Sequence, residues 1–247
     1  EAYKALRTNL NFLSGSGDVH AFVVTSTVPE EAKSNVSVNL ALALTESGKK
    51  VVLVDCDLHK PVLHRYLKAG HNLKGVSNVL SRQVALSDAL VELKGIPNLT
   101  FLPAGTTPPN PSELLSQPQM QEMVDTLRGS YDFVILDAPP ISMVTDAAVI
   151  GRIVDGALFV VRSKYASTDA VKTALEKLQD AGVKVLGAVL TRYDAKKSLK
   201  RSDYGYGYYY YNSNYSYGTP PHIISESAAE KSCLTSKKRH NGKEKHF

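Results

Sequence analysis

A lysine followed by a serine at the start of an apolar-periodic stretch is a minimal device for holding phosphate. Here it closes the segment Thr27-Val28-Pro29-Glu30-Glu31-Ala32-Lys33-Ser34. The P-loop pattern G-x-x-x-x-G-K-[ST] is met at its end, though neither glycine is present. A tight loop at a helix N-terminus presents backbone N–H groups and the positive end of the dipole to an anion. Lys33 would reach the β- and γ-phosphates of a nucleotide, and the Ser34 hydroxyl would ligate Mg²⁺. Pro29, Glu30, Glu31, Ala32, Lys33, Ser34 and Asn35 are therefore the candidate nucleotide-binding residues. A Lys-Ser pair at a helix start is common, so the segment needs support. Two apolar runs supply it: Val51-Val52-Leu53-Val54-Asp55-Cys56-Asp57, and Phe133-Val134-Ile135-Leu136-Asp137 followed by Ala138-Pro139-Pro140. Carboxylates at the ends of buried strands beside a phosphate loop suit Mg²⁺ binding and proton acceptance. Each could instead cap the turn that follows it. All three elements in this chain order point to nucleotide binding.

These residues need strands and helices to place them. The pattern predicts helices over Glu1–Leu13, Lys33–Thr45, Pro118–Leu127, Asp146–Ile153 and Thr168–Ala181. It predicts strands over His20–Thr25, Val51–Asp55, Leu99–Pro103, Phe133–Asp137, Ala157–Arg162 and Val185–Leu190. The strand runs have almost no polar interruption, as expected of strands covered on both faces. Such β–α alternation argues for an α/β fold with a parallel sheet and helices on both faces. Ligands of these sheets sit at the carboxyl ends of the strands, where the polar residues cluster.

The C-terminal fifth has a different composition. Eight of the 13 tyrosines fall in one short stretch: Tyr204, Tyr206, Tyr208, Tyr209, Tyr210, Tyr211, Tyr215 and Tyr217. Gly, Ser and Asn fill the gaps, which opposes a helix and gives no pattern for a core strand. The stretch reads equally as a low-complexity linker or as a set of exposed phenols to be modified. Residues 219–247 carry six Lys/Arg against three Asp/Glu, leaving only +2 of the overall +5 for the rest of the chain. A nucleic-acid-binding field across the main domain is thereby disfavoured. The basic end, with Lys237, Lys238, Arg239 and Lys243, reads as a solvated tail, with anionic lipid or an acidic partner as the alternative. Two cysteines, Cys56 and Cys233, make no disulfide scaffold or metal-ligand spacing, so a reduced, intracellular setting is the simplest reading. No apolar run approaches the roughly 20 residues of a membrane span, and no signal-peptide pattern opens the chain. The first residue is Glu1 rather than Met, which leaves room for an upstream segment.

Together these features resemble the bacterial tyrosine kinases, cytoplasmic kinases of capsule and exopolysaccharide assembly, over roughly residues 1–218. The likeness rests on Val51–Asp57 as a Walker A′ motif, Phe133–Asp137 as Walker B and the terminal tyrosines. The stretch Leu102-Pro103-Ala104-Gly105, followed by Pro108–Leu115, also looks like a family hallmark. The resemblance implies a P-loop NTPase-like domain over 1–203, a tyrosine tail over 204–218 and a basic tail over 219–247. It implies that ATP·Mg²⁺ binds at Lys33 and Ser34, with Asp137 supporting the metal. Asp55 and Asp57 become candidates for metal contact and for accepting the phenol proton. The nucleophile is then a tail tyrosine of a neighbouring subunit. Glu1, Lys4 and Arg7 match the family's E-x-x-R-x-x-R oligomerisation motif with Lys4 in place of the first arginine, and lysine lacks the bidentate fork. Implied partners are other copies of the chain in a ring, a membrane adaptor that activates the kinase, and a cognate protein-tyrosine phosphatase. The implied location is cytoplasmic, at the inner face of the cell membrane through that adaptor.

Several positions depart from the family's pattern. Ala32 stands where glycine is expected, His59 where arginine usually follows the Walker A′ aspartates, and Thr191 where an asparagine commonly contacts adenine. Two rival readings follow. One is a partition or septum-placement ATPase, whose signature lysine five residues before the P-loop lysine is Val28 here. The other is a catalytically impaired scaffold of the same assembly, motivated by Ala32.

Overall fold

A computed structural model describes residues 1–15, 19–70 and 72–193. The eight clustered tyrosines, Cys233 and the basic tail lie outside the described residues. The elements run α1 (Ala2–Gly15), β1 (Ala21–Ser26), α2 (Lys33–Thr45), β2 (Val51–Asp55), α3 (Leu63–Tyr66), α4 (Val76–Leu80) and α5 (Leu86–Ala89). They continue with β3 (Val91–Glu92), β4 (Leu99–Leu102), α6 (Pro111–Leu115), α7 (Pro118–Arg128), β5 (Phe133–Asp137), α8 (Asp146–Gly151), β6 (Ala157–Arg162), α9 (Thr168–Asp180) and β7 (Val185–Thr191). Each helix and strand read from periodicity is present, with ends that coincide or are displaced by no more than two residues. The four short helices α3 to α6 and the strand β3 carry too few residues to show a period, and they were not anticipated.

The strands form one sheet in the order β3-β4-β2-β5-β1-β6-β7. Every pairing is parallel except that of β3 with β4. The inner strands β1, β2 and β5 are buried at every position, which is why their sequences are continuous apolar runs. On one face α1, α2 and α3 cover the sheet, placing Leu10, Leu40, Leu44 and Leu63 with Phe22, Leu53 and Ile135. On the other, Met123, Leu127, Ile150 and Leu178 pack on Val54, Leu136 and Phe159. Outermost β7 is only half covered.

This topology fixes where a ligand can sit. The chain leaves β1 for α2 and returns to β2 on one side of β5, whereas β6 lies on the other side of β1. The crevice at such a switch point opens above the carboxyl ends of the strands. Register pairs Asp55 of β2 with Asp137 of β5, so two carboxylates arrive side by side at that end.

Candidate active site

The β1–α2 loop is held by its own side chains. Glu31 is buried, and its carboxylate accepts from the N–H of Val28 at 2.9 Å and from that of Arg162 at 3.1 Å. Ala32, the residue before α2, lies in the left-handed region at φ 71, ψ 25, and Glu30 also has positive φ, at 66. The first hydrogen bond of α2 runs from Val36 N–H to Ala32 carbonyl. The N–H groups of Lys33, Ser34 and Asn35 therefore have no acceptor inside the helix. The side chain of Asn35 is turned aside: its Oδ1 accepts from Tyr3 and Asn39. The Thr27 hydroxyl oxygen, at the loop's entrance, is buried without a hydrogen-bond partner.

Four residues read from the sequence meet in one network. Lys33 Nζ lies 3.2 Å from both Asp57 Oδ2 and Asp137 Oδ2. Ser34 Oγ donates to Asp137 Oδ2 at 2.6 Å. Burial opposes the charge on Lys33, but Asp137 and Asp57 outweigh it and hold the ammonium above its ordinary range. Asp55 stands beside this network, accepting from the N–H groups of Asp57 and Leu63 at 3.3 Å each. Its pKa is pushed up to about 8 by burial and by neighbouring Asp137, against the pull of Lys33, with Asp57 adding to the rise. A cavity of about 190 Å³ opens against Asp55, lined by His64, Leu73, Phe101, Pro103 and Gly105 among others.

Three connections were missed from sequence. Ser37 Oγ donates to the second oxygen of Asp137 at 2.9 Å. It lies three residues after Ser34 on the same helix, so helical spacing contained the signal. Asp146, fully buried, accepts from Ser112 and lies 3.0 Å from His59 Nε2. This ties the segment after Asp57 to α6 and α8 through partners 34 and 87 residues apart in the chain, and no local pattern reveals it. Thr191, at the end of β7, donates its hydroxyl to the carbonyl of Glu31 at 3.0 Å. Glu1 and Lys4 form an exposed pair at 3.8 Å on α1, whereas Arg7 donates to the carbonyl of Ala43 at 2.9 Å.

Among the described residues, no three His, Cys, Asp or Glu side chains converge closely enough to hold a metal ion by themselves. The donors present are all oxygens: the Ser34 hydroxyl and the carboxylates of Asp55, Asp57 and Asp137. That set suits Mg²⁺, which keeps waters and shares phosphate oxygens rather than taking an all-protein cage.

A parallel sheet with a phosphate loop, a helix N-terminus and strand-end aspartates at its switch point defines a P-loop nucleotide-binding domain. The sequence profile of the AAA domain matches residues 31–186. The chain is 37% identical over 205 residues to tyrosine-protein kinase YwqD of Bacillus subtilis, covering 83% of this chain and 84% of that protein. The kinase domain of the Escherichia coli tyrosine kinase ETK superposes with a TM-score of 0.74 at 32% identity, covering 84% of this chain and 80% of that one. The chain belongs to the family of bacterial tyrosine-protein kinases. The septum site-determining protein MinD of Pyrococcus horikoshii, solved with Mg-ADP, is 24% identical with a TM-score of 0.62 and shares the fold alone.

Proposed function

We propose that this kinase binds ATP and Mg²⁺ at the β1–α2 loop and transfers the γ-phosphoryl group to the tyrosines of its own tail in trans. The observation that carries this reading is the ammonium of Lys33 set between Asp57 and Asp137 at the mouth of a left-handed phosphate loop. The N–H groups at the start of α2 are oriented to bind phosphate oxygens. Ser34 and Asp137, with Asp55 beside them, would hold Mg²⁺, which neutralises charge on the phosphates and orients the transferring group. Lys33 exchanges its carboxylate partners for the β- and γ-phosphates. That exchange releases Asp57, which together with Asp55 is placed to accept the proton of the attacking phenol. In the metal-free site burial and Asp137 raise the pKa of Asp55 to about 8, and a bound Mg²⁺ would lower it and keep the carboxylate ionised. Because phosphoryl transfer asks little covalent chemistry of the protein, these residues work by positioning and charge.

The acceptors are Tyr204, Tyr206, Tyr208, Tyr209, Tyr210, Tyr211, Tyr215 and Tyr217 of a neighbouring copy in a ring assembled through Glu1, Lys4 and Arg7. The assembly regulates synthesis and export of capsular or extracellular polysaccharide. It works in the cytoplasm at the inner membrane face, recruited by a membrane adaptor and reversed by a protein-tyrosine phosphatase. Among the described residues no helix is long and apolar enough to cross a membrane. Nucleic acid is not a partner in this reading. The test is incubation with Mg-ATP followed by mass spectrometry. Phosphate on the clustered tyrosines, lost on Lys33→Met, supports the reading. ATP binding without any tyrosine phosphorylation returns the chain to the role of scaffold.

A further inference from the structure

The loop is also gripped from outside, by β6, β7 and the turn after β6. Arg162 Nη1 donates to the carbonyl of Glu30 at 3.3 Å. The guanidinium of Arg162 lies 4.3 Å over the ring of Tyr165, whose hydroxyl donates to the Glu30 carboxylate at 3.3 Å. Thr191 Oγ1 donates to the carbonyl of Glu31 at 3.0 Å. These contacts come from residues more than 130 positions away in the chain, and they converge on two consecutive loop residues.

Their effect follows from peptide geometry. In a trans peptide the carbonyl and the next N–H point in opposite directions across one plane. Holding the Glu30 carbonyl against Arg162 therefore turns the Glu31 N–H away from β6. Holding the Glu31 carbonyl against Thr191 likewise turns the Ala32 N–H away from β7. The backbone pays for this orientation with left-handed φ at Glu30 and Ala32, where residues with a Cβ are disfavoured. Glycine visits that region freely, alanine does not.

We propose that Arg162, Tyr165 and Thr191 are positioning residues for nucleotide phosphate: Arg162 and Thr191 fix the carbonyls of Glu30 and Glu31, Tyr165 steadies the Arg162 guanidinium and the Glu30 side chain, and the N–H groups of Glu31 and Ala32 are thereby aimed into the loop. They do externally what a glycine at position 32 would do by conformational freedom. The inference rests on the nucleotide-binding reading above and adds the residues that set the loop's shape.

The test is calorimetric titration with Mg-ADP, which reads the loop without requiring phosphoryl transfer. Tyr165→Phe and Thr191→Val, both close in volume to the parent residues, and Arg162→Leu are each made in the parent chain and in Ala32→Gly. In the parent, Arg162→Leu combined with Thr191→Val weakens ADP binding about tenfold, the scale of one or two hydrogen bonds. In Ala32→Gly the same pair weakens it about threefold or less, because the left-handed turn no longer needs holding. Tyr165→Phe, which keeps the ring under Arg162, gives a smaller loss with the same dependence on position 32. Equal losses in both backgrounds, or no loss in the parent, overturn the proposal while leaving nucleotide binding intact. No ADP binding by the parent chain overturns both.

Discussion

Ala32→Gly is the most informative single substitution in the site. A methyl group at φ 71 costs on the order of 1–3 kcal/mol where the surroundings enforce the conformation. Relieving that cost should raise initial autophosphorylation by roughly 5- to 150-fold if it falls wholly on the transition state. Lys33→Met should abolish phosphorylation in both backgrounds. Initial rates with labelled ATP, alongside ATP affinity, check both outcomes, and a change below twofold in rate and affinity would show that the loop accommodates alanine. Asp55 gives a second prediction at this scale. Its folded pKa of about 8 lies above the ordinary 3.8, so the native state holds a proton that the unfolded chain releases. The stability tied to that proton is fully present below about pH 4 and is lost as pH rises through 8. Asp55→Asn should flatten the pH dependence of the urea midpoint across that window in nucleotide-free protein. An unchanged slope would locate the titrating group elsewhere.

At the scale of elements, the segment around Leu102–Gly105 works through backbone contact. The carbonyls of Pro103 and Ala104 accept from the N–H groups of Val76 and Ser77 at the start of α4. Gly105 has φ 86, and a Cβ there would lie 2.5 Å from both Asn78 Oδ1 and Ser77 Oγ. Gly105→Ala should therefore destabilise the domain by about 2 kcal/mol or more, through left-handed strain and overpacking together. Urea unfolding reads the loss. Because Pro103 and Gly105 line the cavity against Asp55, phosphorylation should fall as well, beyond what the unfolded fraction explains. The downstream half of the same segment reaches the site by a different route. Asp146 on α8, itself bonded by Ser112 on α6, holds His59, two residues beyond Asp57. Asp146 is fully buried, so Asp146→Ala should leave His59 and Ser112 without their shared acceptor and loosen the segment that presents Asp57.

At the scale of the whole molecule, the proposed tail phosphorylation would act through charge. Each phosphotyrosine adds about −1.5 to −2 charge, so several would make the tail strongly anionic. Repulsion between neighbouring tails should then shift a ring towards smaller species. Light scattering before and after incubation with Mg-ATP is the measurement, and an unchanged mass with fully phosphorylated tyrosines would remove this link. Assembly through α1 should depend more on Glu1 and Lys4 than on Arg7, which already spends a donor on Ala43 of its own chain. Basal activity is expected to be low and to rise when the cytoplasmic peptide of a membrane adaptor is added or fused. Full activity regardless of any such peptide would count against that dependence.

The sequence by itself determined the elements and their order, because continuous apolar runs and helical spacing are local properties written in neighbouring residues. It also nominated Lys33, Ser34, Asp55, Asp57 and Asp137, since a phosphate loop and strand-end carboxylates keep a fixed relation to their own strands. It singled out Ala32 as a residue without glycine's freedom, and the positive φ there is what that reasoning requires. Only the tertiary structure decided which partners complete the site. Register brought Asp55 beside Asp137, and burial among like charges raised the pKa of Asp55. Sheet order carried Arg162 and Thr191 from strands far along the chain to the carbonyls of Glu30 and Glu31. Such contacts depend on crossover connections and strand order, which set distances between residues that share no local pattern.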